Sequence, residues 1–394
     1  MTEWIECKLS DLGEVVGGAT PSTKDCSNYD GNIAWLTPKD LSSFSGRYIE
    51  KGERSISEKG FKSCSTKMLP INSILFSSRA PIGYVAIAAK ELCTNQGFKS
   101  VIPNSKVDYM FLYYLLKYKK KEIEGLGSGT TFKEVSGNVM KNAMVYIPKD
   151  KVVQKKIAGI LDKIDCKIEN NNNINRNLYE QAVALFEAMY QEYPIKKISE
   201  LDIFVTDYVA NGSFASLKEN VTILEEKNYA YFIRNVDLKA KEFPRFVNQH
   251  SYEFLSKSKL VGGEVIISNV GDVGSVFLCP KLDGPMTLGN NMIMLTSPKH
   301  NNYLYLLFKS YIGQGKIGGI TGGSAQSKFN KTDFKSLEIN YPDESQVDEF
   351  NEKTSALLDM ISKLDEENKR LTALKNSLLP KLMCGELDLS DLDI

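Results

Sequence analysis

The apolar positions of this chain repeat on two scales. From Ile157, steps of four and three residues alternate through Leu161, Ile164, Ile168, Asn171, Asn175, Leu178, Ala182, Leu185 and Met189. This is the spacing of a coiled-coil seam. A second seam lies 193 residues further on, through Phe350, Thr354, Leu357, Ile361, Leu364, Asn368, Leu371, Lys375, Leu378 and Leu382. A heptad stripe alone in water has nothing to bury itself against, so the pattern predicts two long helices whose partners are each other. Asn171, Asn175 and Asn368 fall in mid-seam. A polar residue there either fixes register at some cost in stability or, within the asparagine run 170–173, marks a solvated break.

Between the seams the period shortens to that of strands, and the landmarks come in pairs. The strand-like I-A-W-L-T-P-K-D-L at 33–41 lines up with A-Y-F-I-R-N-V-D-L at 230–238. S-I-L-F-S-S-R-A-P-I-G at 73–83 lines up with E-V-I-I-S-N-V-G-D-V-G at 264–274, and each is an apolar strand, a polar turn, a glycine and a further strand. T-N-Q-G-F at 94–98 stands opposite G-N-N-M-I at 289–293, and each leads to a proline, Pro103 or Pro298. Helices at 109–118 and 303–310 follow, then glycine-rich loops at 125–131 and 318–324, then a strand ending at Pro148 or Pro342. The order predicts mixed α/β (α+β) globular domains in tandem duplication. Their boundaries are 1–150, a helix over 151–193, a second domain over 194–343, a helix over 344–384 and an acidic tail over 385–394.

Composition narrows the function more than the fold. At 394 residues the chain fits two or three domains, and its 42% hydrophobic and 25% charged content is that of a soluble globular protein. No apolar run reaches the roughly 18 residues of a membrane helix, and residues 1–12 carry charges where a signal peptide is apolar. The expectation is a cytoplasmic protein with no membrane partner. Seven cysteines without a C-x-x-C pair, and only His250 and His300, argue against a disulfide framework, a zinc site or a histidine base. The net charge of zero divides into +4 over 1–150, 0 over 151–194, +2 over 195–343 and −6 over 344–394. That permits nucleic-acid binding without predicting it. Gly315-Lys316 is followed by Ile317 rather than a hydroxyl residue, so no phosphate-cradling loop is written. There is no N-P-P-F-like methyltransferase loop, and Pro342-Asp343 lacks the acidic-x-lysine cluster of a metal-dependent nuclease. The chain is expected to catalyse nothing alone and to hold no metal.

Taken in order, these motifs resemble the specificity subunit of type I restriction-modification systems. The resemblance rests on the runs at 73–83, 94–98 and 267–274, on the glycine loop and strand-proline before each helix, and on the closing L-P-K-L-M-C-G-E-L at 379–387. It covers nearly the whole chain. It implies two target recognition domains, each reading half of a split duplex DNA site. It also implies that the helices pack as an antiparallel coiled coil with pseudo-two-fold symmetry, serving as spacer and as docking surface for two methyltransferase subunits, with motor-nuclease subunits joining them. S-adenosylmethionine, ATP and magnesium are then expected on the partner subunits and no cofactor on this chain. One departure is that the glutamate-glutamine pair usual at each helix start is here Val153-Gln154 and Ser345-Gln346.

Base edges and phosphates are contacted by Arg, Lys, Asn, Gln, Ser and Thr. The candidates, all expected on loops or strand ends, are Lys39, Arg79, Ser128, Thr130 and Lys133 in the first half, and Arg234, Asn235, Asn269, Ser324, Gln326 and Lys328 in the second. The spacer rests on Ile157, Leu161, Ile164, Ile168, Asn175, Leu178, Leu357, Ile361, Leu364, Asn368 and Leu371. A second function class stays open, a two-domain coiled-coil scaffold that does not bind DNA specifically. A steep salt dependence of duplex binding separates the two.

Overall fold

The computed structural model describes residues 3–129, 133–191, 193–323, 326–387 and residue 389. It divides into two compact units, Met1–Asn172 with Asp365–Ile394, and Asn173–Leu364, so each unit holds one globular body and half of each long helix.

In the first unit, Gly13–Gly17, Lys99–Pro103, Ile74–Phe76, Val85–Ala88 and Tyr48–Ile49 form a five-stranded sheet in that order. Ser55–Ile56, Tyr29–Leu36 and Cys93–Thr94 form a three-stranded one. In the second unit, Phe204–Asp207, Met292–Thr296, Val265–Ser268 and Val276–Leu278 form a four-stranded sheet. Ile223–Leu224, Phe246–Val247, Ala230–Ile233, Met286–Leu288 and Lys259–Leu260 form a five-stranded one. The pairing repeats between the bodies. Ile74–Phe76 is antiparallel to Val85–Ala88 as Val265–Ser268 is to Val276–Leu278. Tyr29–Leu36 is parallel to Cys93–Thr94 as Ala230–Ile233 is to Met286–Leu288. Each body is closed by a two-stranded ribbon, Trp4–Lys8 with Met144–Pro148 and Ile195–Lys197 with Glu338–Asn340. The central strands are buried along their whole length, which is why they read as continuous apolar runs rather than alternating ones.

Helix Tyr109–Tyr118 begins where the Asp108 carboxylate accepts the N–H groups of Met110 and Phe111, and it buries every residue from Phe111 to Leu116. Its counterpart Asn301–Lys309 buries Tyr303, Leu304, Leu306, Leu307 and Phe308. Two expectations need correction. The strand-like stretches break after Leu36 and Ile233 into short helices, Pro38–Ser42 and Asn235–Ala240. The side chains of Asp40 and Asp237, three residues on, accept the N–H groups of Thr37 and Arg234 and start a helical turn. The glycine-rich stretch at 318–324 is helical as far as Ile320, within helix Tyr311–Ile320. Gly313 lets that helix pack closely, since a Cβ there would stand 2.1 Å from the Leu307 carbonyl oxygen.

The long helices are Lys151–Tyr190 and Glu344–Met383, 40 residues each. Every seam position of both is buried or half-buried. In the first unit Ile157 and Leu161 share a core with Leu382, and Leu378 packs against it. Asn171 Nδ2 donates to Asn368 Oδ1 at 2.9 Å and to Glu367 at 2.8 Å, and Asn368 Nδ2 donates to Asn172 Oδ1 at 2.9 Å. The first helix runs through its asparagines unbroken, which removes the solvated-break alternative. In the second unit Ala182, Phe186, Tyr190 and Phe350 share a core with the body, and Leu357 and Ile361 pack against it.

The bodies join their helices differently. In the first unit Arg47, whose side chain is 6% exposed, donates twice to Glu169 (2.9 and 2.8 Å), once to Asp162 and once to Cys166 Sγ at 3.1 Å. Nearby, Asp165 accepts from Tyr114 at 2.8 Å and from Lys375 at 2.6 Å. Burial works against the Arg47 charge, but the bonds to Glu169, Cys166 and Asp162 outweigh it and hold the guanidinium more firmly protonated than usual. In the second unit the ring of Tyr303 meets those of Phe186, Tyr193 and Phe350 at 5.5–5.6 Å between centroids.

Candidate nucleic-acid interface

The candidate loops are built on a backbone skeleton that occurs twice. After strand Ile74–Phe76, Ser77 N–H donates to the Tyr84 carbonyl (2.9 Å), Gly83 N–H to Ser77 (2.9 Å), Ser78 N–H to Gly97 (2.7 Å) and Val135 N–H to Ser78 (3.0 Å). After Val265–Ser268, Ser268 donates to Ser275 (2.9 Å), Gly274 to Ser268 (3.0 Å), Asn269 to Asn291 (3.1 Å) and Phe329 to Asn269 (3.1 Å). Gly83 at φ +89° and Gly274 at φ +90° close the two turns in a conformation side chains resist. Each glycine is packed by a residue of the helix that follows, Lys120 or Gln314. The glycine-rich loops are pinned at matching places, Ser128 pairing with Glu134 and Gly322 with Lys328. Turn, T-N-Q-G-F-type segment and glycine loop thus converge in each body.

The side chains on this shared skeleton differ. In the first body Arg79 lies 3.6 Å and Lys99 3.4 Å from the Glu134 carboxylate. Ser128 and Lys133 are exposed, and Thr130 lies outside the described residues. Arg79, Lys99 and Lys133 against Glu134 leave a basic rim. Among the described residues Lys39 makes no contact with this cluster. It follows the end of strand Tyr29–Leu36 as expected, but it sits in helix Pro38–Ser42 rather than on a loop, 78% exposed and bonded to Glu53 at 2.8 Å.

In the second body Asn235, Asn269, Gln326 and Lys328 come together around one turn, with Arg234 immediately before Asn235 and Ser324 outside the described residues. Asn235 is the first residue of a helix rather than a loop. Arg234 is largely committed, its Nε and Nη2 donating to Asp237 at 2.9 and 2.6 Å. Asn269 donates to the Phe329 carbonyl at 3.2 Å, and Gly271 N–H donates to Ser327 at 2.9 Å. Gln326 and Lys328 are exposed.

The sequence reading missed Lys99, Glu134, Lys239, Asp272 and Ser275. Asp272 Oδ2 receives Asn235 Nδ2 (3.0 Å), Lys239 Nζ (2.6 Å) and Ser275 Oγ (2.6 Å). Lys239, then Ser275 and Asn235, hold its carboxyl down at about 2. Its place inside the polar turn of the repeated motif was the available signal. Among the described residues there is no group of three or more His, Cys, Asp and Glu placed to hold a metal ion, and no helix long and apolar enough to cross a membrane.

Residues 1–180, and again 194–376, match the family of type I restriction modification DNA specificity domains. The chain is 30% identical to the type I restriction enzyme MjaIX specificity subunit of Methanocaldococcus jannaschii, over 99% of this chain and 95% of that one. It is 29% identical to the type I restriction enzyme HindI specificity subunit of Haemophilus influenzae, over 42% of this chain and 38% of that one. Its fold resembles the crystal structure of the type I restriction-modification system S subunit from M. genitalium, with a TM-score of 0.58 at 15% identity, covering 97% of this chain and 96% of that one.

Proposed function

The chain belongs to the type I restriction-modification DNA specificity family, and we propose that each globular body reads one half of a split duplex site. The observation that carries this reading is the doubled skeleton with unlike side chains. Ser78, Arg79, Lys99 and Glu134 surround one turn, while Asn269, Asp272, Asn235 and Lys239 surround the other. A constant scaffold with variable polar edges suits two readers of two different base sequences, since base edges are distinguished by donor and acceptor patterns. Catalysis then rests with methyltransferase and motor-nuclease subunits, which carry S-adenosylmethionine, ATP and magnesium. The two long helices pack as an antiparallel coiled coil that spaces the half-sites and receives those partners.

Methylation mapping tests the reading. With its partner methyltransferase the chain gives one split motif, and duplex binding to that motif falls steeply with salt through counterion release. Inserting four residues at Asn172 lengthens one helix by about 6 Å and turns the seam by about 40°, a stutter a coiled coil absorbs. Both half-sites stay the same while the gap between them grows by about one or two base pairs, at about 3.4 Å each. An active complex with an unchanged gap removes the spacer role. Weak, salt-insensitive binding without base preference removes the DNA reading.

A further inference from the structure

The two units fill one place differently. Lys117 follows Tyr113 by one helical turn, its Nζ 3.2 Å from the phenol oxygen and 5.1 Å from the ring centre. Tyr305 and Lys309, 192 residues further on, form the same pair at 2.8 and 5.0 Å. There the ring of Tyr179 also underlies Lys309, at 4.8 Å, and Ala182 and Leu358 belong to the buried core. The 193-residue spacing of the seams sets Thr372, Lys375 and Asp165 at the corresponding places of the first unit, a threonine for the tyrosine and a charged pair for the alanine and the leucine. The second body is held on its helices by apolar packing at these places, so holding a body does not require the polar ones.

In the first unit a cavity of about 320 Å³ lies between Lys117, Lys120, Thr372 and Lys375. Ser45, Asn172 and Thr372 on its lip are exposed, whereas Arg47 and Tyr113 at its floor are buried. Its carboxylates are engaged, Glu169 by Arg47 and Asp165 by Lys375 and Tyr114. Lys117 and Lys120 are not engaged in this way. Among the described residues neither meets a carboxylate: Lys117 donates to Tyr113, and Lys120 lies over the Tyr84 ring at 6.0 Å. Burial and then the Lys375 charge lower the Lys117 pKa, Asp165 offsets part of this, and Arg47 and Lys120 lower it further. Crowded ammonium groups only donate, so what stabilises them is an acceptor that brings negative charge.

We propose that Lys117 and Lys120 hold a backbone phosphate of the duplex in this cavity, beside the recognition turn of the first body. Gly83 and Tyr84 of that turn line the same cavity, and the Lys120 stem packs on Gly83. A duplex read at the turn therefore brings its phosphates to the lip, which a free anion in solution does not do. Lysine binds phosphate as a point charge, and such a contact fixes register while leaving base choice to the turn. The assignment rests on the reading of the first body as a DNA binder and adds where the backbone is held and by which residues.

The test is equilibrium binding of the complete complex, as a function of salt, to duplexes carrying the mapped motif and to random duplex. Lys120→Gln and Lys117→Gln should each weaken both duplexes by the same factor, about tenfold for one charge-assisted contact, and make the slope of log affinity against log salt shallower by about one. The methylated motif should stay the same. A neutral methylphosphonate is then placed at each backbone position in turn. One position should cost the wild-type complex about tenfold and cost Lys120→Gln nothing further, while Lys120→Arg keeps the sensitivity. Thr372→Tyr, which puts into the cavity the ring that the second unit has at Tyr179, should remove that sensitivity in a stably folded chain. If Lys117→Gln does not fold, Lys120→Gln and Thr372→Tyr still decide. An unchanged salt slope in Lys120→Gln, or the same methylphosphonate losses in wild type and Lys120→Gln, overturns the proposal. Thermal stabilisation of the wild-type complex by inorganic phosphate that Lys120→Gln abolishes, with the duplex slope unchanged, would assign the cavity to a free anion and overturn the duplex as its source. A wild-type complex that binds the mapped motif no better than random duplex overturns instead the sequence reading beneath it.

Discussion

Arg47 ties one globular body to the long helix Lys151–Tyr190 by charge, whereas Tyr303 ties the other to both long helices by aromatic packing on Phe186 and Phe350. The first junction concentrates its energy in few atoms: one buried guanidinium serves Glu169, Asp162 and Cys166, and Asp165 gathers Tyr114 and Lys375 beside it. The second spreads it over the buried faces of Phe186, Tyr190, Tyr193, Tyr303 and Phe350. A charge junction is directional and specifies angle, but it fails badly if one partner is lost, because the others stay desolvated. An aromatic junction tolerates changes of shape better and loses stability roughly with the volume removed.

The largest effect should come from emptying the aromatic junction. Phe350→Ala removes a fully buried ring that packs edge-on against Tyr303, at a cost of about 3–5 kcal/mol. Hydrogen exchange should speed up across Tyr303–Phe308 and leave Phe111–Leu116 protected. Uniform loosening of both helices would mean that the two bodies do not differ in how they are held. Arg47→Ala comes next. Removing one member of a buried ion pair costs about 3–5 kcal/mol, but Asp162 and Glu169 are 34% and 37% exposed, so water recovers part of that and about 2–3 kcal/mol is expected. Here exchange should accelerate in helix Tyr109–Tyr118 and spare the second body.

A smaller effect sharpens the same contrast at the recognition turns. Among the described residues Arg79 meets only Glu134, at 3.6 Å, so Arg79→Ala should lower DNA affinity and leave stability within about 0.5 kcal/mol. Arg234 is forked onto Asp237, so Arg234→Ala should cost stability, about 1–2 kcal/mol for a charge-assisted pair that is partly exposed. Denaturant titration and duplex binding on both variants separate the roles. Equal loss of base discrimination in each half, with stability intact, would make both arginines readers.

What could be read from the residues was what repeats locally. The seam from Ile157 to Met189 and helix Tyr109–Tyr118 carry their period in neighbouring letters, and the structure buries or half-buries those positions. The Thr37–Asp40 and Arg234–Asp237 turns were legible in principle, through the three-residue spacing of a capping aspartate, but strand-like apolar letters on the upstream side masked it. Arg47 was not legible. Its partners stand 115 to 122 residues away, and no local pattern distinguishes a buried guanidinium from a solvated one. Asp272 is an intermediate case, visible in its motif but silent about Asn235 and Lys239 until the turn is folded against helix Asn235–Ala240.

The smallest effect is a pH dependence confined to the aromatic body. Both histidines of the chain lie there, and His300 is buried, stacked on Tyr341 at 4.4 Å, with Nδ1 3.3 Å from Ser297 Oγ and Nε2 3.3 Å from the Pro342 carbonyl oxygen. Burial lowers its pKa below the ordinary 6.5, and the Pro342 carbonyl, with Glu344 and Asp348 at longer range, offsets only part of that against Lys299. A group whose folded-state pKa lies below its unfolded value binds fewer protons when folded. Its contribution is therefore complete above 6.5 and is lost as pH falls toward and through the folded value. Between pH 7 and pH 5, exchange at Tyr303–Phe308 should quicken while Phe111–Leu116 stays constant. The change should be smaller than either truncation, because a protonated ring still has the Pro342 carbonyl to donate to. His300→Asn, which keeps a polar side chain at the start of helix Asn301–Lys309, should lower stability at pH 7 by losing the stacked ring and flatten the response below it. A slope that survives in His300→Asn would assign the titration to another group and remove the pH contrast between the two bodies.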